Sequence, residues 1–170
     1  TMKCPAGQYF TRWPNNTADN FCTDCPSTHY KEGTNDDTSC LPKLTTCPPG
    51  EYFNASSDQT RDNTCTKCPV GTSNNETSAA TKVDACKDCV LGKYSDVEGA
   101  LSCKLCGTGK YLDQTGQDEA ADCKLCGVGK YNDQEGQDAV GDCKACAVGQ
   151  YNDQEARDSC KLCGTGKYLN

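Results

Sequence analysis

Large apolar side chains are few and evenly spaced in this chain of 170 residues, which has three Phe, one Trp and one Met. All eight tyrosines sit five residues after a cysteine: Tyr9, Tyr30, Tyr52, Tyr94, Tyr111, Tyr131, Tyr151 and Tyr168. Two positions before most of them stands a glycine, as at Gly7, Gly50, Gly92, Gly109, Gly129, Gly149 and Gly166. The unit is C-x-x-G-x-Y, with Ser73 in place of Tyr after Cys68 and Thr28 in place of Gly after Cys25. Polar residues follow each Tyr, and runs such as Asp113-Gln114-Thr115-Gly116 and Asp133-Gln134-Glu135-Gly136 carry turn chemistry. The pattern predicts a short strand through the Tyr, a turn, and a return strand. No stretch keeps a 3.6-residue period free of Gly and Cys, so little helix is expected. Each Tyr ring is expected to cover a disulfide and stack toward the next repeat, as packing rather than as an aromatic binding stripe.

The cysteines set the connectivity. Seven C-x-x-C pairs occur, and only Cys4, Cys40 and Cys47 precede Cys163 without such a partner. If the first Cys of each pair closes the loop behind it and the second opens the loop ahead, a ladder results. Its rungs are Cys4–Cys22, Cys25–Cys40, Cys47–Cys65, Cys68–Cys86, Cys89–Cys103, Cys106–Cys123, Cys126–Cys143 and Cys146–Cys160. Cys163 is left over. Its partner is expected beyond Asn170, the alternatives being an intermolecular bond or a free thiol. From Cys89 the units are near copies, and Cys106–Leu125 matches Cys126–Ala145 at 13 of 20 positions. Four regions follow: a two-loop module over 1–40, a spacer over 41–46, a second two-loop module over 47–88, and tandem repeats of 17 to 20 residues over 89–170. The head of the second module, Cys47-Pro48-Pro49-Gly50-Glu51-Tyr52-Phe53, echoes Cys4-Pro5-Ala6-Gly7-Gln8-Tyr9-Phe10. The spacer is expected to act as a bend, because no disulfide crosses it.

One residue in ten is cysteine, the mark of a disulfide scaffold. The few large apolar groups cannot build one large core, so cross-links must supply what burial does not. The fold class expected is a small disulfide-rich one, mostly irregular with short β-hairpins, repeated in tandem as an elongated rod. Such disulfide density persists in oxidising compartments, which places the chain outside the cell or at its surface. Sequons at Asn15, Asn54 and Asn75 are candidate glycosylation sites. The net charge of −7, with no Lys/Arg cluster, argues against nucleic acid as a partner. No apolar run is long enough to span a bilayer.

The C-P-x-G-x-Y opening and the C-x-x-C hand-over resemble the cysteine-rich repeats of tumour-necrosis-factor receptors. The later 17- and 20-residue units are more similar to ephrin-receptor-type and growth-factor-receptor-type repeats. The resemblance spans essentially the whole chain. It implies an extracellular rod that binds protein ligands, spaces other domains, or builds cell-surface structures.

Other chemistries fit less well. The C-x₂-C spacing also occurs in Cys₄ zinc sites, but zinc would leave Cys4, Cys40 and Cys47 without a role. Asp113, Asp118 and Asp122, and likewise Asp133, Asp138 and Asp142, place several carboxylates in one repeat, so calcium binding by these turns stays open. His29 is the sole histidine and is expected in an exposed loop, so no catalytic residue, cofactor or metal is assigned. Phe10, Arg12, Trp13 and Phe21 could form a contact patch in the first loop, since Trp and Arg favour binding hot spots. The alternative is that Trp13 plugs its own module. The function expected is an extracellular structural or scaffolding segment of a cell-surface or fibre-forming protein. Its partners would be other proteins, including copies of itself. The second reading is a receptor ectodomain that binds a protein ligand.

Overall fold

The computed structural model describes residues 3–11, 21–34, 38–77, 80–164 and 166. Among these, every sheet is a two-stranded antiparallel hairpin, and each hairpin contains the strand through C-x-x-G-x-Y. The first and third are the longest. Gln8–Thr11 pairs with Phe21–Asp24, and Glu51–Asn54 pairs with Thr64–Lys67. The later ones shrink to two residues a side, as where Lys110–Tyr111 meets Lys124–Leu125 and Lys130–Tyr131 meets Lys144–Ala145. Strands this short bury little and are marginal alone. Each is therefore closed by a cross-link. The structure joins Cys4 to Cys22, Cys25 to Cys40, Cys47 to Cys65, Cys68 to Cys86, Cys89 to Cys103, Cys106 to Cys123, Cys126 to Cys143 and Cys146 to Cys160. The cross-linked loops span 14 to 18 residues, and a loop of about 15 residues is worth roughly 3 kcal/mol by chain entropy.

Helix is confined to one α-helical turn, Lys82–Ala85, and two 3₁₀ turns, Ala120–Asp122 and Val140–Asp142, among the described residues. The 3₁₀ turns end their loops just before Cys123 and Cys143. In each, the last Asp carboxylate accepts the backbone N–H three residues earlier: Asp122 from Glu119 at 3.0 Å and Asp142 from Ala139 at 2.9 Å.

Consecutive repeats are joined by backbone hydrogen bonds in a recurring set. The N–H of the motif Gly donates to the carbonyl of the residue that follows Tyr in the next repeat. This bond recurs from Gly50 to Asn74, Gly71 to Ser95, Gly92 to Leu112, Gly109 to Asn132 and Gly129 to Asn152, at 2.7 to 2.8 Å. The N–H of that same residue donates onward to the following repeat, as from Asn74 to Ala100, Ser95 to Gln117, Leu112 to Gln137 and Asn132 to Arg157. A third bond returns from Gly99 to Cys68, Gly116 to Cys89, Gly136 to Cys106 and Ala156 to Cys126.

Contacts therefore reach the second neighbour as well as the first. Gly92 has φ +75°, a conformation open to glycine and strained for other residues. A Cβ there would run into the carbonyl of Gly136, two repeats on. Gly50 stands in the same way against Gly99, Gly71 against Gly116 and Gly109 against Ala156.

The core is the row of loop-opening cysteines together with the residues following Tyr, not the tyrosines. Leu112, Ser95 and Asn132 are each 1% exposed, and Asn74 and Asn152 are also buried. The described tyrosines are half-buried. A buried amide needs partners, and each of these donates its Nδ2 to a carbonyl of the preceding repeat, while the buried Oδ1 of Asn152 has no partner among the described residues. Asn74 Nδ2 donates to the Glu51 carbonyl at 2.9 Å, Asn132 Nδ2 to Lys110 at 3.0 Å and Asn152 Nδ2 to Lys130 at 2.7 Å. The expectation that Tyr is the plug is corrected in part. The rings cap the disulfides of the next repeat, Tyr52 against Cys68–Cys86 and Tyr94 against Cys106–Cys123, but the residue after Tyr is the more deeply buried.

Over 41–46, the spacer is hydrogen-bonded to the loops beside it. Leu41–Pro42 pairs with His29–Tyr30, so His29 lies in a half-buried strand rather than an exposed loop. Lys43 lies three residues after Cys40, where every other closing cysteine has its opening partner. Its N–H donates to the carbonyl of Thr28, which stands at the motif Gly position, at 2.9 Å, as the opening cysteines donate to the motif Gly carbonyl elsewhere. Lys43 is 7% exposed, and its ammonium donates to the Ser56 carbonyl at 2.8 Å. The Lys31 N–H reaches the Gln59 carbonyl at 2.8 Å. The repeat register thus runs through the spacer without a disulfide.

Candidate protein-contact surface

On the Tyr face of each hairpin, the residue after the closing cysteine stands directly opposite the Tyr position. Tyr94 faces Lys104, Tyr111 faces Lys124, Tyr131 faces Lys144 and Tyr151 faces Lys161. Side chains two apart on a strand share a face, so the residue two beyond Tyr is a diagonal neighbour of that lysine. In these four repeats it is Asp. Lys104 meets Asp96 at 2.6 Å, Lys124 meets Asp113 at 2.6 Å, Lys144 meets Asp133 at 2.7 Å and Lys161 meets Asp153 at 2.9 Å. Three of the ammonium groups also lie over their tyrosine, 5.8 to 6.0 Å from the ring centroid. Hydrogen bonding to lysine holds each of these Asp carboxyls below the usual carboxylate range. The aspartates raise Lys104, Lys124 and Lys144 by the same bonds. All are exposed, so each pair contributes little stability and mainly fixes the hairpin face.

The repeats opened by Cys4 and Cys47 fill the same two positions with neutral pairs. Thr11 Oγ1 lies 2.9 Å from Thr23 Oγ1, and Asn54 Nδ2 donates to Thr66 Oγ1 at 2.7 Å. The repeat opened by Cys68 differs. Its hairpin sets Ser73 opposite Lys87, and the diagonal position is Asn75. Among the described residues Lys87 makes no ion pair. Next to it opens a cavity of about 450 Å³, whose lining includes Ser73, Asn75, Lys87, Val90, Leu101 and Cys103.

Of the first-loop patch, Arg12 and Trp13 lie outside the described residues, as does the sequon residue Asn15. Phe10 is only 9% exposed and belongs to the core of its hairpin, so its ring is not available as a contact, while Phe21 opposite Thr11 is 43% exposed. Asn54 is exposed with its amide held by Thr66, and Asn75 is exposed on the cavity rim. Of the acidic turns, Asp113 and Asp133 are engaged with lysines, and Asp122 and Asp142 cap backbone N–H groups. Cys163 is half-buried and is not bridged to any described residue, and its N–H donates to the Gly149 carbonyl at 2.9 Å. Among the described residues no helix is long and apolar enough to cross a membrane.

Two features of this face do not follow from the sequence pattern without the cross-strand register. The lysine of C-K-x-C and the Asp of Y-x-D recur together in the last four closed repeats, and that co-occurrence is the signal that could have paired them. The vacancy at Ser73 was visible as the one missing Tyr, but its meaning needed the cross-strand register.

No curated protein matches the chain. Among solved structures, one chain of the human RANKL/OPG complex matches at 19% identity. The match covers 72% of this chain and 73% of that one, with a TM-score of 0.34. The family model described as tyrosine-protein kinase ephrin type A/B receptor-like matches residues 77–123, from within the fourth disulfide loop to the end of the sixth. The chain is a tandem array of disulfide-closed repeats, and over residues 77–123 it is similar to ephrin-receptor-like modules.

Proposed function

We propose that this chain is an extracellular structural or scaffolding segment, a disulfide-stapled rod that carries protein–protein contacts within a cell-surface or fibre-forming assembly. The observation that supports it best is the uniform linkage of near-identical repeats. The same backbone bonds from Gly to the residue after Tyr recur from Gly50 to Asn152, and the Gly positions reach the second neighbour. A string joined in this way resists bending at every joint, which suits a spacer or a polymer subunit. In this reading the bridged cysteines staple the rod and the paired aspartates fix the hairpin faces through lysine. The partners are other proteins, copies of the chain among them. Regions 1–40 and 47–88 are two modules of this rod, with 41–46 as their joint and 89–170 as the regular shaft.

Unreduced native material imaged by electron microscopy tests this. A filament or ordered coat with the chain laterally packed is the expected result. Separate single molecules that each hold one soluble protein would overturn the scaffold in favour of a receptor ectodomain. One observation favours that second reading: the second module carries at Ser73 a cavity beside Lys87, a lysine that among the described residues makes no ion pair.

A further inference from the structure

We infer that the cavity beside Ser73 is a docking site for an aromatic–acidic segment of a protein partner, whose ring takes the place of the missing tyrosine and whose carboxylate pairs with Lys87. The inference rests on protein binding as the function and names the site that carries it. Its basis is the chain's own repetition. In neighbouring repeats a Tyr ring caps the disulfide of the next repeat, as Tyr52 does for Cys68–Cys86 and Tyr94 for Cys106–Cys123. At the corresponding place Ser73 reaches only its hydroxyl to Cys103, 3.5 Å from the sulfur, and the volume of a ring is left open. In the next four repeats the cross-strand lysine holds an Asp two residues beyond Tyr. Lys87 stands at that cross-strand position with Ser opposite and Asn75 on the diagonal, so it lacks both ring and carboxylate.

The two vacancies are adjacent and match the two halves of one motif, Tyr-x-Asp. Their surroundings suit such a ligand. The cavity is within the size range of ligand clefts, and Val90 and Leu101, 59% and 56% exposed, give it an apolar rim. Other carboxylates line it, but two of them are turned to other tasks. Asp84 accepts the Thr81 hydroxyl at 3.2 Å, and Asp88 lies on the opposite face of its strand, against Gly116. Glu76 and Lys93 complete the charged lining and offset each other.

The test uses the whole chain and the peptide GKYLDQ, its own sequence at 109–114, followed by nuclear magnetic resonance of the labelled protein. We expect shift changes centred on Ser73, Lys87, Val90 and Cys103 with a Kd on the order of 1 mM, as suits one ring and one ion pair. Replacing the peptide's Tyr by Ala should weaken binding about tenfold or more, since the ring supplies most of the buried area. Changing its Asp to Asn, or Lys87→Ala in the protein, should weaken it about 2- to 5-fold, the reach of an exposed ion pair.

The double variant S73Y/N75D completes the motif in cis and should abolish binding while leaving the rest of the spectrum in place. Absence of shifts with the wild-type chain overturns the proposal. So does binding that survives S73Y/N75D, or shifts that fall elsewhere. Capture of the native partner is read separately. If S73Y/N75D loses the peptide but keeps the partner, the site is not that contact and protein binding stands. If wild-type chain captures no protein at all, the broader reading fails whatever the peptide does.

Discussion

Replacing Gly92 with alanine asks whether the second-neighbour contact is real. Two separate costs apply. The first is conformational, because φ is +75° and an L-residue there is strained by roughly 1 to 2 kcal/mol. The second is steric. The new Cβ would meet the Gly136 carbonyl oxygen, lie 2.6 Å from its carbon, and lie 3.3 Å from the Gln137 oxygen. Those atoms are backbone held by their own hydrogen bonds, Gly136 N–H to the Cys106 carbonyl among them, so they cannot swing aside. Overpacking of this kind costs about 1 to 3 kcal/mol. Gly129→Ala separates the two. It occupies the same place in its repeat, with φ +76°, but among the described residues nothing lies within 4 Å of its Cβ site.

Hydrogen exchange under non-reducing conditions gives the answer locally. For Gly92→Ala the amides of Leu112 and Gly136 report opening, and for Gly129→Ala those of Cys146 and Ala156. Strain alone should accelerate exchange by about 5- to 30-fold in both variants, at 1.4 kcal/mol per factor of ten. The collision should add a further factor of about 5 to 150 in Gly92→Ala only. Equal acceleration in the two variants would refute the contact between repeats two apart.

Three further outcomes follow from the same packing. Asn132→Ala should destabilise the chain by about 1 to 3 kcal/mol, because it orphans the Lys110 carbonyl and the Gln134 N–H, and thermal unfolding without reductant should show it. Tyr94→Ala should cost about 2 kcal/mol by the same assay, less than a fully buried ring, since its ring is half-buried against Cys106–Cys123 and Leu112; an unchanged midpoint would remove Tyr from the packing. The Asp–Lys pairs should give an acid limb. Their carboxyls are held below the ordinary value, so their contribution is whole above that value and is lost as pH falls through the depressed range. A variant with Asp96, Asp113, Asp133 and Asp153 all changed to Asn should differ from wild type at neutral pH and converge with it near about pH 2; a gap that persists in acid contradicts the pairing.

The hairpins, their turns and the cross-links were legible because cysteine spacing and Tyr spacing are one-dimensional signals. The core was less so. Asn132 and Asn152 read as surface residues by polarity, yet each is buried because its amide bridges two repeats, and that bridge exists only once repeats are stacked. Lys43 reads as part of a spacer that acts as a bend, since a lysine does not announce itself as a stand-in for cysteine. Its position three residues after Cys40 was the available clue. Gly99, Gly116 and Gly136 read as turn residues, which they are, but their service to a glycine two repeats back depends on three-dimensional stacking. The vacancy beside Ser73 combines both kinds of information, a gap in the sequence pattern and a lysine whose missing partners are known only from its siblings.

The stacking of the repeats depends on the hand-over at each C-x-x-C, with one cysteine serving the loop behind and the next serving the loop ahead. Peptide mapping of the unreduced chain by mass spectrometry tests it most directly. The account predicts fragments joining Cys106 to Cys123 and Cys126 to Cys143, with no bond inside a C-x-x-C pair. A fragment in which Cys123 is bonded to Cys126 would contradict it, because neighbouring loops would then lose the separate closures on which the stacked rod is built.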